Sequence, residues 1–265
     1  MSIRGFIWSI AIAATLSVPL LAQPSPSGFH KVYCVKVNPG KYADFQAAMK
    51  DDLKLINYEV KSGRLSGAIA LEAIVPEGSN AACDYSFVDF YPGLPPALQS
   101  DAEQTADLQK AGVDKTSDQF MEELVASGTL VSTSIDREVA GVGEAKKGDY
   151  IVVNDMKVSN VGAWIANEKK LWQPIFQDGV KTGAVDGWAV VESFMPRGAK
   201  DPDITYTVDI YPSWDSLFHF FGPDFPNRWK KIHPNTPIEG GMAQEQKMDT
   251  IEHTVLYRVV SAVRK

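Results

Sequence analysis

Ten residues with ionisable side chains form five matched pairs, each separated by 120 or 121 positions along the chain. A carboxylate held away from water has a raised pKa and can act as a general base, while cations and tyrosine hydroxyls bind polar groups of small molecules. The candidate ligand-binding residues are Lys36, Glu72, Asp89, Tyr91 and Arg137, with Lys157, Glu192, Asp209, Tyr211 and Arg258. None of them completes a catalytic motif, so no catalytic residue is assigned.

The pairing reflects a repeat of most of the chain. Residues 60–92 align without a gap to residues 180–212, with 11 identities in 33 positions, where unrelated sequences of ordinary composition give about two. Shorter matches on both sides extend this alignment. The sequence therefore predicts two units, 28–143 and 148–265, joined by a short polar segment.

Both units have the same predicted order of elements. Alternating apolar residues predict strands in the first unit, over 30–37, 67–75, 83–91 and 130–142. Apolar residues at steps of three and four predict a helix from Tyr42 to Val60, with Gly63 as its C-cap. In the second unit Pro174 is predicted to break or kink the corresponding helix. The order β-α-β-β-α-β is that of the ferredoxin-like fold, so the fold class is α+β.

Residues 38–45, Asn-Pro-Gly-Lys-Tyr-Ala-Asp-Phe, follow a predicted strand and open the helix. This pattern resembles the dimeric α/β-barrel superfamily, which includes antibiotic-biosynthesis monooxygenase-like and NIPSNAP-like proteins. The resemblance implies that two ferredoxin-like sheets face each other and form a barrel. Because one chain carries both units, it implies an intrachain pseudo-dimer that is a monomer in solution. The segments 92–129 and 212–250 are longer than the usual single helix.

The same resemblance implies a range of activities. Cofactor-free oxygenases, haem-handling enzymes and isomerases all occur in this superfamily. No catalytic signature of the family is found in this chain, so no family residue is carried over.

Strand alternation places Asp89 and Tyr91 on one face of the third strand. We expect that face to line the barrel, with the opposite face against the helices. Lys36, Asp89 and Arg137 then become neighbours in a ferredoxin-like sheet. Two interpretations stay open: internal ion pairs that fix the register between the sheets, or a polar and aromatic cavity that binds a small molecule.

Cys34 and Cys83 are predicted to lie near the starts of the first and third strands. If these strands are parallel neighbours, the sulfurs are close enough for a disulfide, which an oxidising compartment preserves. The alternative is two free, buried thiols.

The second unit carries an aromatic run from Trp214 to Trp229 that the first unit lacks. It either makes the second unit the binding half or forms a packing core under the extra segment, and the packing interpretation is favoured. His219 and His233 lack the spacing of a ligand set. We therefore expect no metal and no cofactor.

Residues 1–22 are typical of a secretory signal peptide, with Arg4 before an uncharged run and Ala22 at the cleavage site. The alternative is a membrane anchor, but Pro19 within the run favours cleavage. We expect an extracytoplasmic protein, periplasmic or secreted, without stable membrane insertion. The net charge of −7 argues against nucleic acid as a partner.

Three functions agree with these observations. The first is an exported protein that binds a small molecule in the cavity between the sheets. The second is a cofactor-free oxygenase or isomerase of the dimeric α/β-barrel type. The third is a structural or partner-binding module whose barrel is filled with side chains.

Overall fold

The computed structural model describes residues 28–76, 81–196 and 205–265. The predicted signal peptide, residues 1–22, lies outside the described residues. Within the described ranges, no helix combines the length and the apolar character needed to cross a bilayer.

The two halves of the chain repeat one order of elements. The first half contains, in chain order, β1 (Phe29–Val37), α1 (Tyr42–Ser62), β2 (Gly67–Val75), β3 (Tyr85–Tyr91), α2 (Asp101–Lys110), α3 (Ser117–Ser127) and β4 (Gly128–Gly143). The second contains β5 (Tyr150–Val158), α4 (Val161–Thr182), β6 (Gly187–Met195), β7 (Thr205–Tyr211), α5 (Trp214–His219), α6 (Phe225–Ile232), α7 (Ile238–Glu245) and β8 (Asp249–Arg264). The halves differ mainly after the third strand, where α2 and α3 correspond to α5, α6 and α7.

The strands close into an antiparallel barrel in the order β1-β3-β2-β8-β5-β7-β6-β4. The first half contributes a sheet ordered β4-β1-β3-β2, and the second contributes one ordered β8-β5-β7-β6. Two seams join the sheets, β2 with β8 and β4 with β6. The eight-stranded α+β barrel expected from the sequence is therefore confirmed.

Helix α1 lies where the apolar periodicity predicts it. Phe45, Met49, Ile56 and Val60 share one face of the helix and are buried against the sheet. The helix ends at Gly63, whose φ of 84° is the left-handed conformation that glycine adopts without steric penalty. This cap turns the chain toward β2.

Helix α4 runs without interruption through Pro174, so the predicted break is wrong. Proline removes one backbone hydrogen bond and crowds the preceding turn. Leu171, Ile175 and Phe176 on both sides of the proline are buried in the core of the second half. We infer that this burial compensates for the lost hydrogen bond.

Cys34 and Cys83 form a disulfide, with their Cα atoms 5.2 Å apart. Strands β1 and β3 are antiparallel, so the expectation that they are parallel is wrong. Antiparallel pairing brings the later part of β1, which contains Cys34, beside the segment leading into β3, which contains Cys83. The bridge fixes one end of the first sheet.

Replacing both cysteines by serine should lower the free energy of unfolding by about 4 kcal/mol, because the bridge closes a loop of 49 residues in the unfolded chain. Urea unfolding of the double variant measures the loss. Reductant should destabilise the wild type to a similar extent and leave the variant unchanged. Equal stability of the two proteins without reductant would contradict the bridge.

Candidate functional site

The face of β3 that carries Asp89 and Tyr91 lies against α1. On this face, the rings of Tyr85 and Phe87 are 5.0 and 6.4 Å from the ring of Phe45 of α1. The expectation that this face lines the barrel is therefore wrong. The closed interior is bounded by strands on every side and favours apolar contacts, whereas polar groups between α1 and the sheet can reach water at the edge of the helix.

The middle of the barrel is filled by apolar side chains from both sheets. This buried cluster comprises Ile69, Leu71, Val88, Ala145, Ile151, Ile210, Tyr257 and Val259. Val88 belongs to the face of β3 opposite Asp89, so the two faces of that strand have the reverse of their expected environments. The expected polar cavity between the sheets is wrong, and a ligand site has to lie outside the barrel.

Sequence reasoning also missed a polar group inside the barrel. Asp136 of β4 is completely buried and accepts a hydrogen bond of 2.9 Å from Ser134 Oγ. His30 of β1 pairs with Asp136 in register, with Nε2 4.0 Å from the carboxylate. Burial lowers the pKa of His30 to about 4, so its ring is neutral at pH 7. We assign this enclosed group to the packing of the barrel.

Four of the predicted residues lie on the seams between the sheets. Arg137 Nη2 of β4 is 2.8 Å from Glu192 Oε2 of β6, and Glu72 of β2 stands opposite Arg258 of β8. Glu72 also accepts a hydrogen bond of 2.8 Å from Tyr85 Oη. These positions fit the interpretation in which charged residues fix the register between the sheets.

Lys36, Asp89 and Arg137 do not form the expected group of neighbours. Lys36 pairs with Thr129 near the end of β1, and Lys31 is the residue opposite Asp89. The expectation rested on the strands being neighbours and on the side chains pointing to the same side, and it did not fix the register. Because β1 and β3 are antiparallel, the end of β1 lies beside the start of β3, far from Asp89.

The second half encloses the counterparts of Asp89 and Tyr91. Asp209 and Tyr211 are only 8% and 2% exposed, and the ring of Phe220 lies 6.2 Å from that of Tyr211. Burial raises the pKa of Asp209 to about 7, opposed by hydrogen bonds from Asn154 and Tyr211. Lys157, by contrast, is exposed.

The aromatic run covers these residues. Phe220, Phe225 and Trp229 are buried in one cluster with Trp164 and Trp188. The packing interpretation is confirmed for these three residues of the run, whereas Trp214, Phe218 and Phe221 are exposed. Because Asp209 and Tyr211 are almost completely buried, the candidate site is sought in the first half.

The two histidines of this region interact with backbone carbonyls. His219 is exposed, and its Nδ1 lies 2.8 Å from the carbonyl oxygen of Asp215. His233 Nε2 lies 2.8 Å from the carbonyl oxygen of Leu171. The two rings therefore serve local structure.

Three carboxylates converge in the first half, where α1 crosses β3. Asp52, Glu59 and Asp89 are each half-buried, and we call them the α1 carboxylate cluster. Burial, with the charges of Asp89 and Glu59, raises the pKa of Asp52 to about 7. Burial likewise raises the pKa of Glu59 to about 7 against the pull of Arg64. Burial also raises the pKa of Asp89 to about 6, although the positive charge of Lys31 lowers it. The cluster therefore exchanges protons near neutral pH.

Tyr33, Tyr91 and Arg64 connect the α1 carboxylate cluster to the surface. A hydrogen bond from Tyr33 limits the rise in the pKa of Asp89, and Tyr33 also hydrogen-bonds Tyr91. Arg64 follows α1, and its Nη1 lies 3.6 Å from Glu59 Oε1. A ligand that contacts Tyr91 or Arg64 is therefore connected to the carboxylates through these two side chains.

An open cleft of about 720 Å³ lies beside Tyr91 and Arg64. Its other walls are formed by Pro92, Gly93, Leu94, Pro96, Ala97, Leu98, Gln99 and Glu103. Leu94 and Leu98 are 63% and 89% exposed. The volume is within the usual range for small-molecule sites. The leucine and proline side chains of the walls suit a ligand with an apolar body. Tyr91 and Arg64, which form the floor of the cleft, suit a polar end of that ligand.

Sequence reasoning found Asp89 and Tyr91 but missed Asp52 and Glu59. A signal for Asp52 exists, since it falls within the apolar stripe of α1, one turn after Met49. A charged residue at a core-facing position of a helix marks either a partner or a site. No comparable pattern pointed to Arg64, which lies in a turn.

Comparison with known proteins identifies the fold. No family model and no curated protein matches the sequence. Two solved structures, each described as a "putative monooxygenase", are similar in fold. The one from Fusobacterium nucleatum has a TM-score of 0.56 and 11% identity, over 90% of this chain and 95% of that chain. The one from Lactobacillus acidophilus has a TM-score of 0.55 and 7% identity, over 90% and 96%. At these identities the likeness shows a shared fold, the α+β barrel with its eight antiparallel strands.

Replacing Asp52 by Asn should stabilise the protein by about 1–3 kcal/mol at pH 8 and have little effect below pH 4. The raised pKa of Asp52 means that the folded state holds its proton more tightly than the unfolded chain. The associated stability is complete below the ordinary value of 3.8 and is lost as the pH rises through about 7. Urea unfolding at both pH values measures the difference.

The matched control is Asp44→Asn, which removes an exposed carboxylate from the same helix. It should change the stability by less than about 0.5 kcal/mol at either pH. Equal effects of the two substitutions at pH 8 would show that Asp52 is ordinarily solvated.

Proposed function

We propose that this protein is an exported monomer that binds a small organic molecule in the cleft beside Tyr91 and Arg64. The observation that carries the proposal is the position of this open cleft in the first half, next to a half-buried carboxylate cluster. Export follows from the predicted signal peptide and is supported by the disulfide, which persists in oxidising compartments. The closed barrel within one chain supports a monomer.

The chemistry of the cleft favours a ligand with an apolar body and a cationic or hydroxyl end. Leu94 and Leu98 provide uncovered apolar surface. The acids Asp52, Glu59 and Asp89 behind the cleft outnumber the cations Arg64 and Lys31 beside them, so the local environment favours a proton donor or an amine. The net charge of −7 also favours a cationic ligand, and it argues against nucleic acid as a partner.

An NMR screen of small ring-containing amines and alcohols tests the binding proposal. Compounds that bind should shift the NMR signals of residues 92–99. Leu98→Ser should raise the Kd of these compounds about tenfold, because it removes an apolar contact. Leu130→Ser, which alters another exposed leucine, on β4 and 58% exposed, serves as the control. Binding that survives Leu98→Ser unchanged would move the site elsewhere.

We propose, as a second candidate, a cofactor-free oxygenase or isomerase that removes a proton from its ligand. The raised pKa values of the α1 carboxylate cluster favour it, because a base works best with a pKa near the working pH. Tyr91 borders the cleft and Asp89 lies behind it, with Tyr33 hydrogen-bonded to both. The names of the two fold relatives support the oxygenase alternative, and a place in the antibiotic-biosynthesis monooxygenase-like or NIPSNAP-like branch stays part of this proposal.

For this candidate, oxygen uptake and product formation are measured with phenolic and other acidic aromatic compounds. Turnover should rise with pH through about 6 to 7 as the base loses its proton. Asp89→Asn should reduce it by about 10²–10⁴, with a smaller loss for Tyr33→Phe. Asp44→Asn is the control and should keep full turnover. Full turnover in Asp89→Asn would exclude this carboxylate as the base.

A further inference from the structure

A second group of carboxylates lies in the other half of the molecule, away from the cleft. Glu168 is on α4, Glu245 ends α7, and Asp249 begins β8. One carboxylate oxygen of each lies within 4.8 Å of the other two. The three side chains therefore meet where the extra helices of the second half join the barrel.

The charge of this group is not balanced by protein cations. Among the described residues, no lysine, arginine or histidine forms an ion pair with Glu168, Glu245 or Asp249. One anchor is present, since Trp172 Nε1 donates a hydrogen bond of 2.6 Å to Glu245 Oε2. Several carboxylates at this spacing repel one another strongly unless a cation or protons neutralise them.

Among the three carboxylates, Glu168 gives the strongest indication of a bound ligand. Its side chain is only 1% exposed, and Oε1 has no hydrogen-bond partner among the described residues. Asp249 Oδ2 is likewise buried, and the indole of Trp164 is its neighbour. A carboxylate oxygen without a partner, in a fully buried member of an acidic group, is rare in proteins, where buried polar atoms are almost always paired.

The donor set distinguishes between cations. All three side chains offer oxygen, which selects hard cations over zinc or copper. Calcium accepts irregular sets of carboxylate oxygens, whereas magnesium demands a regular octahedron and keeps several of its own water ligands. We propose that Glu168, Glu245 and Asp249 form a calcium-binding site that ties α7 and β8 to α4.

Calcium titration of the full chain tests the site. After treatment with EDTA, addition of CaCl2 to a hundred times its Kd should raise the Tm by roughly 5–10 °C. TbCl3 should give luminescence on excitation of tryptophan, because Trp172 contacts the site, and CaCl2 should displace it. These two measurements use the wild type and do not depend on the folding of a variant.

Variants locate the effect. Glu168→Gln and Asp249→Asn should each weaken calcium binding at least about tenfold. Glu239→Gln, which changes an exposed glutamate on the same helix α7, should bind calcium as the wild type does. This control separates loss of a ligand from a general effect of removing one negative charge from α7.

Three results would overturn the proposal. One is a Tm that CaCl2 does not change, with terbium luminescence absent, which would mean that protons neutralise the group. Another is calcium binding that is unaffected by Glu168→Gln. The third is a response to MgCl2 that exceeds the response to CaCl2.

Discussion

The backbone hydrogen bonds along the β2–β8 and β4–β6 seams close the barrel, and the positions of the polar groups follow from that closure. A sheet that closes on itself has no edge through which water reaches its interior. Its middle therefore holds aliphatic side chains such as Val88, Ile151 and Val259. Apart from the enclosed pair of Asp136 and His30, the charged residues described above lie at the seams or on the outer face beneath the helices. Arg137 and Glu192 occupy the first kind of position, and Asp89 occupies the second.

The sequence was sufficient to predict the fold because its signals are local or repeated. The spacing of Phe45, Met49, Ile56 and Val60 predicts α1, and the match between residues 60–92 and 180–212 predicts that the order of elements occurs twice, as it does in the fold. The orientation of the sheet faces is a different kind of information. Alternation separates Asp89 from Val88 but does not say which of them meets a helix, since both faces of a barrel strand are covered. The choice depends on Asp52 and Glu59, which are distant in sequence and contribute the polar surface of α1.

The candidate site was predicted in part for the same reason. Tyr91 and Asp89 stand out because they are identical in the repeat, whereas Arg64 aligns with Ala184, and most walls of the cleft come from a segment in which the halves differ. Strand direction was a further obstacle: Cys34 and Cys83 were paired from the sequence on the wrong assumption of parallel strands. The carboxylates around Glu168 were missed because they come from three separate elements, and only the folded chain brings them together.

The two halves share a scaffold but differ in what covers it. Aromatic side chains such as Phe220 and Trp229 seal the second sheet, while α2 and the segment before it leave Tyr91 open to the cleft. The difference lies in the segment after the third strand, which is free to vary because the strands alone hold the barrel. One half thus carries the packing that stabilises the domain, and the other half is free to serve a ligand.

The position of β8 has a consequence for the order in which the chain can assemble. This strand is the last in sequence, yet it pairs with β2 of the first half as well as with β5. On the ribosome the first sheet is complete long before its β2 edge receives a partner. During that interval the exposed edge offers a template for pairing with other nascent chains. Premature association during synthesis is therefore the specific hazard of this architecture, and it ends only when the final sixteen-residue strand is in place.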